Sequence, residues 1–570
     1  MRRCGNILCT MDWVKSVSDT TRDPSLADML RDRLLDRKNQ TIMTFLHRSG
    51  GMQATEISGQ ALLEAAEQQA RIWRKSFGPG RYVLALAMPH GLGFVTAVLA
   101  GLLEGIIVSA MPPAKAGDPR LPHIVRDCGA RAVITQTKSA AGLLRSLTDN
   151  DVVQCPIYNA DGTLLAASDV PSLDVSVAPS TVLLQYTSGS THMPKGVEMS
   201  GANIIANAAL VAQTWGLGRD TVVVNWMPHY HDMGLMGCLL YPILFGGSSV
   251  QLSPFDVIRK PLTWLQAVQD FKGTITGGPA FIYAECLKRI APEDCAALDL
   301  SSLKQAFCGA EPVPADLLPA FQDRFEAYGL PKGASFACYG MAENALFVAG
   351  AQPDHDAPHD NTLAPCRLTP QTRHCIGIMS DDGQLCRDGV EGEIWVHGPS
   401  CTGGYLNAPQ ETADRFVTKD AKTWLRTGDL GVIEGDDLFV TGRLKDMLIV
   451  HGRNVAATEV EWLAASMDGR LNKLAAAAFA PDPSVPSDAA LLIEVTEKAR
   501  DFDGADTVRR AITRAVRGAF GVQLKDIRFL PRGTLEKTSS GKVRRRICAR
   551  TYQQGEMHAG LGPKSTPETP

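Results

Sequence analysis

Short apolar, strand-like runs alternate with helix-like stretches through the first half of this chain, and that alternation restricts the fold to parallel sheets joined by crossover helices. Strands are expected over 82–88, 106–109 and 132–135, with a helix over 93–103 and another ahead of Cys128. The pattern resumes with a strand over 181–186, a helix over 202–214 and strands over 222–226 and 273–276. Ahead of all these, 26–70 reads as helices with exposed charges. Beyond Glu391 the segments become short and β-rich, as in 392–396 and 437–440, which predicts a barrel-like module. Past Arg443 an Ala-rich helix, a strand over 490–495 and a basic end form an independent unit. A chain of 570 residues exceeds what one hydrophobic core supports, so at least two domains are expected. The last stretch, 553–570, is rich in Gly, Pro, Ser and Thr and reads as a disordered tail.

Charge and cysteine usage exclude several classes. With 57 basic and 61 acidic residues the net charge of −4 gives no electrostatic reason for a nucleic-acid or anionic-membrane partner. The apolar run 94–110 is interrupted by Gly101, Glu104 and Gly105, so it reads as a buried helix followed by a strand rather than a membrane span. Fourteen cysteines without a Cys-x-x-Cys pair or zinc-like spacing read as free thiols of a reducing cytosol, so the expected location is cytoplasmic. At the start, the apolar stretch 7–9 is far too short for a secretory leader, and Met11 is an alternative first residue.

Residues 186–196, Tyr-Thr-Ser-Gly-Ser-Thr-His-Met-Pro-Lys-Gly, follow the strand 181–186. Hydroxyls of Thr187, Ser188, Ser190 and Thr191, backbone amides around Gly189 and the point charge of Lys195 make a composition for holding phosphate. The lysine precedes the last glycine and no hydroxyl follows it, so this is not the Walker form. Plain surface turns have similar composition. The rest of the chain therefore has to decide.

Further motifs stand downstream in order: Trp226-Met-Pro-His-Tyr-His-Asp-Met-Gly234, Gly309-Ala-Glu-Pro312, Tyr339-Gly-Met-Ala-Glu343, Thr427-Gly-Asp429, Gly442-Arg-Leu-Lys-Asp446 and Lys537-Thr-Ser-Ser-Gly-Lys542. Each alone is weak, but in this order they resemble the adenylate-forming superfamily of acyl-CoA synthetases, peptide-synthetase adenylation domains and luciferases. Within it, stretches 230–235, 253–255, 261–265, 276–281 and 339–348 resemble fatty acyl-AMP ligases. That resemblance implies an α/β fold: a large N-terminal domain, 1–442, of αβα-layered subdomains plus a small β-barrel, and a smaller mobile α+β domain, 443–552. It implies ATP and Mg2+ as cofactors and a medium- or long-chain fatty acid as substrate. The acid would become acyl-AMP with release of pyrophosphate, and the acyl group would pass to the phosphopantetheine thiol of an acyl carrier protein. Coenzyme A is the alternative acceptor. A non-catalytic acyl- or carrier-binding scaffold is a third reading, whose signature would be loss of Lys195, Glu343 or Lys542; all three are present.

The resemblance also assigns roles. Tyr339 would stack on adenine, followed by Gly340 and Met341, while Gly309, Ala310 and Glu311 line the base. Glu343 would hold a hydrated Mg2+ on the phosphates. Asp429 would take the ribose hydroxyls, Arg443 would contact the nucleotide, and Lys445 stands at the hinge, although a lysine there also reads as a solvated linker charge. Lys542 would enter the site for adenylation and stabilise charge developing at the α-phosphorus. His231 would border the acyl tunnel, or be a satisfied core histidine, and Gly277, Gly278 and Phe281 suit a narrow channel for an aliphatic chain. The pattern departs between Glu343 and Gly392, where about 48 residues intervene and the relatives' longer insertion is shortened. It departs again at 455–458 and at Ala280, where an asparagine is expected; these changes bear on acceptor and acyl choice. The His/Asp/Pro-rich run 354–360 is assigned no metal.

Overall fold

The computed structural model describes residues 25–557 except 49–51, 114–119, 138–142, 144–154, 167–176, 188–192, 354–361, 451–452, 482–487, 496–501 and 539–541. Two seven-stranded sheets dominate the described residues. In the first, Ile157–Asn159, Ala132–Thr135, Val83–Leu86, Ile107–Ala110 and Thr181–Tyr186 are adjacent and parallel, with antiparallel strands at either edge. Both Val83–Leu86 and Ile107–Ala110 are buried along their whole length, as expected of parallel strands covered on two faces. The second sheet runs Ser335–Ala337, Gln305–Cys308, Ile275–Gly278, Val222–Asn225, Ser248–Gln251, Thr41–Arg48 and Met52–Ser58.

The last two of these strands correct the all-helical reading of 26–70. The chain there forms the helix Leu26–Asp36, the antiparallel hairpin Thr41–Arg48 with Met52–Ser58, and the helix Gly59–Phe77. Ile42, Met43, Phe45 and Leu46 are buried because Thr41–Arg48 pairs in parallel with Ser248–Gln251, a partner some two hundred residues away. Local periodicity carries no trace of such a pairing.

The two sheets meet at a pair of buried histidines. His90 follows a strand of the first sheet and His229 one of the second; their ring centroids lie 3.4 Å apart with planes 35° tilted. Phe45 and Phe94 pack on His229. His229 Nε2 lies 3.0 Å from Gln251 Oε1, a contact that makes Nε2 the donor, and Nδ1 accepts the Gly91 N–H at 3.4 Å. His90 has no hydrogen-bond partner among the described residues, and burial pushes its imidazole down to about 3.

The β-rich module is an antiparallel sheet in which the long strand Lys422–Glu434 pairs with Gly392–Val396, Phe416–Lys419 and Asp437–Arg443. After the turn Leu444–Asp446 a separate core forms. There Leu471–Phe479, Asp488–Val495 and Gln523–Leu530 make a three-stranded sheet, packed with Ala457–Ser466 and Ala505–Phe520. The described end of the chain is not a loose tail: Met557 is buried and its carbonyl accepts Arg528 Nη1 at 2.9 Å. Residues 1–24 and 558–570 lie outside the described residues. Among those described, no helix is long and apolar enough to cross a membrane.

The histidine pair has a consequence for acid stability. Folded His90 stays neutral down to about 3, whereas the unfolded imidazole takes its proton near 6.5, so the unfolded state binds more protons between those values. Stability is complete above pH 6.5 and declines below it, by about 2 kcal/mol at pH 5 from this residue. Denaturant midpoints measured from pH 7.5 to 5 should show this loss, and His90→Leu should remove His90's share of it while buried His229 keeps its own.

Candidate functional site

A cavity of about 910 Å³ opens at the seam between the N-terminal sheets, the β module and the C-terminal unit. Its rim carries Lys195, Arg415, Arg443, Lys445 and Lys542 facing Asp232, Glu311, Glu343, Glu411 and Asp429. Those charged side chains come from elements hundreds of residues apart.

Thr187 and Lys195, the described ends of the candidate phosphate loop, line the cavity. Thr187 N–H donates to the Lys195 carbonyl at 3.0 Å, so the loop leaves and returns through a paired base. Ser188, Gly189, Ser190 and Thr191 lie outside the described residues. Lys195 ion-pairs with Glu411, whose carboxyl is held below its ordinary value chiefly by that hydrogen bond, and its Nζ lies 5.8 Å from the Tyr405 ring centre.

Opposite, Tyr339, Gly340 and Met341 line the cavity on a short strand that pairs with Phe347–Ala349. Tyr339 Oη donates to Asp429 Oδ2 at 2.6 Å, and Arg443 Nε donates to Asp429 Oδ1 at 2.7 Å. Asp429 is 4 % exposed, and its own N–H is taken by Thr427 Oγ1 at 3.1 Å. The carboxylate facing Arg443 pushes that guanidinium further up. Ala310 adopts φ +71, a left-handed conformation unusual without glycine and typical of backbone held under tension at a site. Glu311 Oε1 accepts the Phe281 N–H at 3.2 Å, at the start of the helix Ala280–Arg289, and burial pushes its carboxyl up against the pull of Lys542.

Glu343 projects from the turn Ala342–Asn344 and accepts the Tyr405 hydroxyl at 2.7 Å. Beside them is Arg415, which the motif reading overlooked. Burial works against its charge, but Tyr405 and Glu343 outweigh that and raise it. Its Nε is buried without a hydrogen-bond partner among the described residues, and a Cβ at Gly428 would lie 2.5 Å from Nη1. Gly428, at φ +70, thus makes room for the guanidinium within the Thr-Gly-Asp turn. Among the described residues no group of three or more His, Cys, Asp or Glu is placed to hold a metal ion; the run 354–360 lies outside them.

His231 and Asp232 form a close dyad, Nδ1 to Oδ1 2.6 Å, with Asp232 also accepting the Met233 N–H at 2.7 Å. Burial raises the Asp232 carboxyl, yet His231, the Met233 amide and Lys542 together hold it below its ordinary value. Nδ1 faces Asp232 and lies 3.3 Å from the Met233 N–H, so it is the Nε2 side of His231 that remains for the cavity. Asp232 caps a π-helical segment, Met233–Leu240, a geometry that recurs at functional sites. A Cβ on Gly234 would overlap the Pro228 carbonyl, so only glycine lets this turn close.

Lys542 reaches the same cavity from the C-terminal unit. Its ammonium is disfavoured first by desolvation and then by Arg443, and supported by Glu311, Asp232 and Asp429. The unit is clamped in this position by Lys473 to Asp316 at 3.1 Å and Arg532 to Glu285 at 3.2 Å. Within it, Arg545 joins Asp446 at 2.7 Å to Glu461 at 2.7 Å, and Arg546 donates to the Lys445 carbonyl at 3.2 Å. Gly277, Gly278 and Phe281 stand apart from this convergence. A Cβ on Gly277 would overlap Phe307 and one on Gly278 would meet Trp226, so both glycines serve packing inside the sheet. Phe281 packs edge-on to Trp226 at 5.8 Å. The apolar arm of the cavity is instead walled by Val211, Val223, Ile275, Phe307 and Phe347.

A single cavity with both charged and apolar walls, reached by a lysine from the C-terminal unit, is the arrangement an adenylate-forming enzyme requires. The family described as AMP-binding enzyme matches residues 33–406, and this chain belongs to it. A putative fatty-acid–CoA ligase of Mycobacterium leprae is 31% identical over 510 residues, covering 82% of this chain and 87% of that protein. A medium-chain-fatty-acid–[acyl-carrier-protein] ligase of Moorena producens is 28% identical over 94% of this chain and 96% of its own. A solved structure from work on fatty acyl-adenylate ligases of E. coli and L. pneumophila superposes with a TM-score of 0.79 at 27% identity, covering 94% and 98%.

Arg415→Ala should leave Glu343 and Tyr405 without the cation that faces them, while Asp429 keeps Arg443. Its kcat/KM for pyrophosphate release is expected to fall about tenfold or more, and an unchanged value would show that the guanidinium serves only the fold.

Proposed function

We propose that this protein activates a fatty acid with ATP to acyl-AMP and pyrophosphate, then passes the acyl group to the phosphopantetheine thiol of an acyl carrier protein. The carrying observation is the meeting of Lys542, the His231–Asp232 dyad and the Tyr339–Asp429–Arg443 cluster at the point where a polar chamber becomes an apolar arm. The printed names of the relatives, fatty-acid ligases acting on carrier protein or forming adenylates, support the same reading.

ATP with Mg2+ supplies the activated α-phosphorus when bound; one carboxylate, Glu343, with water and phosphate oxygens suits a magnesium ion that keeps most of its hydration. Tyr339 and the 309–311 turn flank the base, while Asp429, held by Tyr339 and Arg443, presents its carboxylate toward the ribose. Lys195 and Arg415 supply positive charge on the phosphate side. The apolar arm takes the alkyl chain and leaves the substrate carboxylate near His231 Nε2. Lys542, partly stripped of water and facing carboxylates, is poised to bind the oxygens that gain charge as the carboxylate attacks, which lowers the barrier more than it lowers the ground state. Division of labour between 1–442 and 443–552, with Lys445 as the hinge, would let the second half-reaction use the same cavity. The twelve described cysteines are all free, which fits a cytoplasmic enzyme.

The shortened segment after Glu343 and the name of the Mycobacterium leprae relative favour coenzyme A as the second reading for the acceptor. Purified protein given Mg-ATP and a graded set of fatty acids should release pyrophosphate and accumulate acyl-AMP that discharges onto phosphopantetheinylated carrier protein. Acyl-CoA as the main product would replace the carrier with coenzyme A. Lys542→Ala should lower acyl-AMP formation by roughly 10²–10³, with transfer from preformed acyl-AMP far less affected.

A further inference from the structure

The apolar arm ends at a partition. Trp215 closes the helix Gly201–Trp215, Gly216 turns the chain at φ +64, and Leu217 returns its N–H to the Ala212 carbonyl at 2.9 Å. On the far side of Trp215 and Leu217 lies a second cavity of about 200 Å³, lined by Arg219, Asp220, Thr221, Thr274 and Lys304. Trp215 and Leu217 line both cavities, so two side chains separate a dry arm from a polar pocket.

The indole is held firmly in that position. It stacks on Phe307 at 5.5 Å with a 24° tilt and meets Phe336 and Phe347 edge-on at 5.4 and 5.3 Å. Its Nε1 donates to the Gly350 carbonyl at 2.8 Å, and its own carbonyl accepts Gln305 Nε2 at 2.8 Å. A rigid aromatic fixed by a hydrogen bond cannot swing aside as a methionine or leucine would.

We infer that Trp215, with Leu217, is the specificity-determining stop that sets the longest acyl chain this enzyme activates. The inference rests on the fatty-acid reading above. Each methylene added to the substrate gains burial in the arm, about fourfold in kcat/KM, until the terminal methyl meets the indole. One carbon more must then distort a packed aromatic cluster, and the gain reverses. The polar lining of the rear pocket gives a longer alkyl chain no favourable place to go while the partition stands. Removing the partition joins the two cavities and opens a path toward the surface.

The test is the chain-length profile of pyrophosphate release for the full-length protein with even-numbered saturated acids. The wild type should show a sharp upper limit. Trp215→Ala and, separately, the gentler Leu217→Ala should move the limit to longer acids, raising kcat/KM at least tenfold for the first acid the wild type rejects. Val211→Phe, which fills the arm in front of the indole, should move the limit to shorter acids. Unaltered limits in Leu217→Ala and Val211→Phe, both folded by thermal melting, would overturn the assignment of the stop while leaving fatty-acid activation in place. Failure of the wild type to adenylate any fatty acid would instead overturn the activity on which it rests.

Discussion

The Asp429 carboxylate is the contact on which the rest of the site depends. Tyr339 reaches it from the short strand paired with Phe347–Ala349, Arg443 reaches it from the last residue of the β module, and Thr427 fixes its backbone. A buried carboxylate needs such partners, because an unpaired one in a water-poor environment would cost several kcal/mol. Satisfying it ties three parts of the chain together at the place where the C-terminal unit begins. The turn Leu444–Asp446 therefore leaves from a fixed point, and Lys542 lies in the unit that follows it.

Around this anchor, charges are arranged in alternating pairs rather than as one field. Lys195 faces Glu411, Arg415 faces Glu343 and Tyr405, Arg443 faces Asp429, and Lys542 enters among Asp232, Glu311 and Asp429. An excess of cations would bind phosphate tightly in every state. Pairing each with a carboxylate keeps the cavity's charges close to balanced. The Arg545 bridge from Asp446 to Glu461 ties the turn Leu444–Asp446 to the helix Ala457–Ser466 and to the segment that carries Lys542.

Much of this was readable in the order of residues. The parallel strands at 83–86, 107–110, 132–135 and 181–186 fall where apolar runs predict them, since such strands are buried on both faces and their hydrophobicity is local. Motif residues Tyr339, Glu343, Asp429, Arg443 and Lys542 do converge. The strands 41–48 and 52–58 were read as helix, and the burial of 42–46 comes from the parallel pairing of 41–48 with 248–251, which is remote in sequence. Arg415 and Tyr405 were missed because an arginine within a polar helix and a tyrosine after two glycines look ordinary; only their approach to Glu343 marks them. Asp232 stood in plain view beside His231, yet adjacency along the chain gives no rotamer.

The sequence by itself determined the fold class and the family, because strand periodicity and short motifs are properties of neighbouring residues. Tertiary structure decided what those side chains touch. It moved Gly277 and Gly278 from the channel wall into sheet packing against Phe307 and Trp226, stacked His90 on His229 between the sheets, and set Trp215 as the wall between two cavities. Each of these depends on the distance between elements far apart in the chain, and only the packing of the whole core fixes that distance.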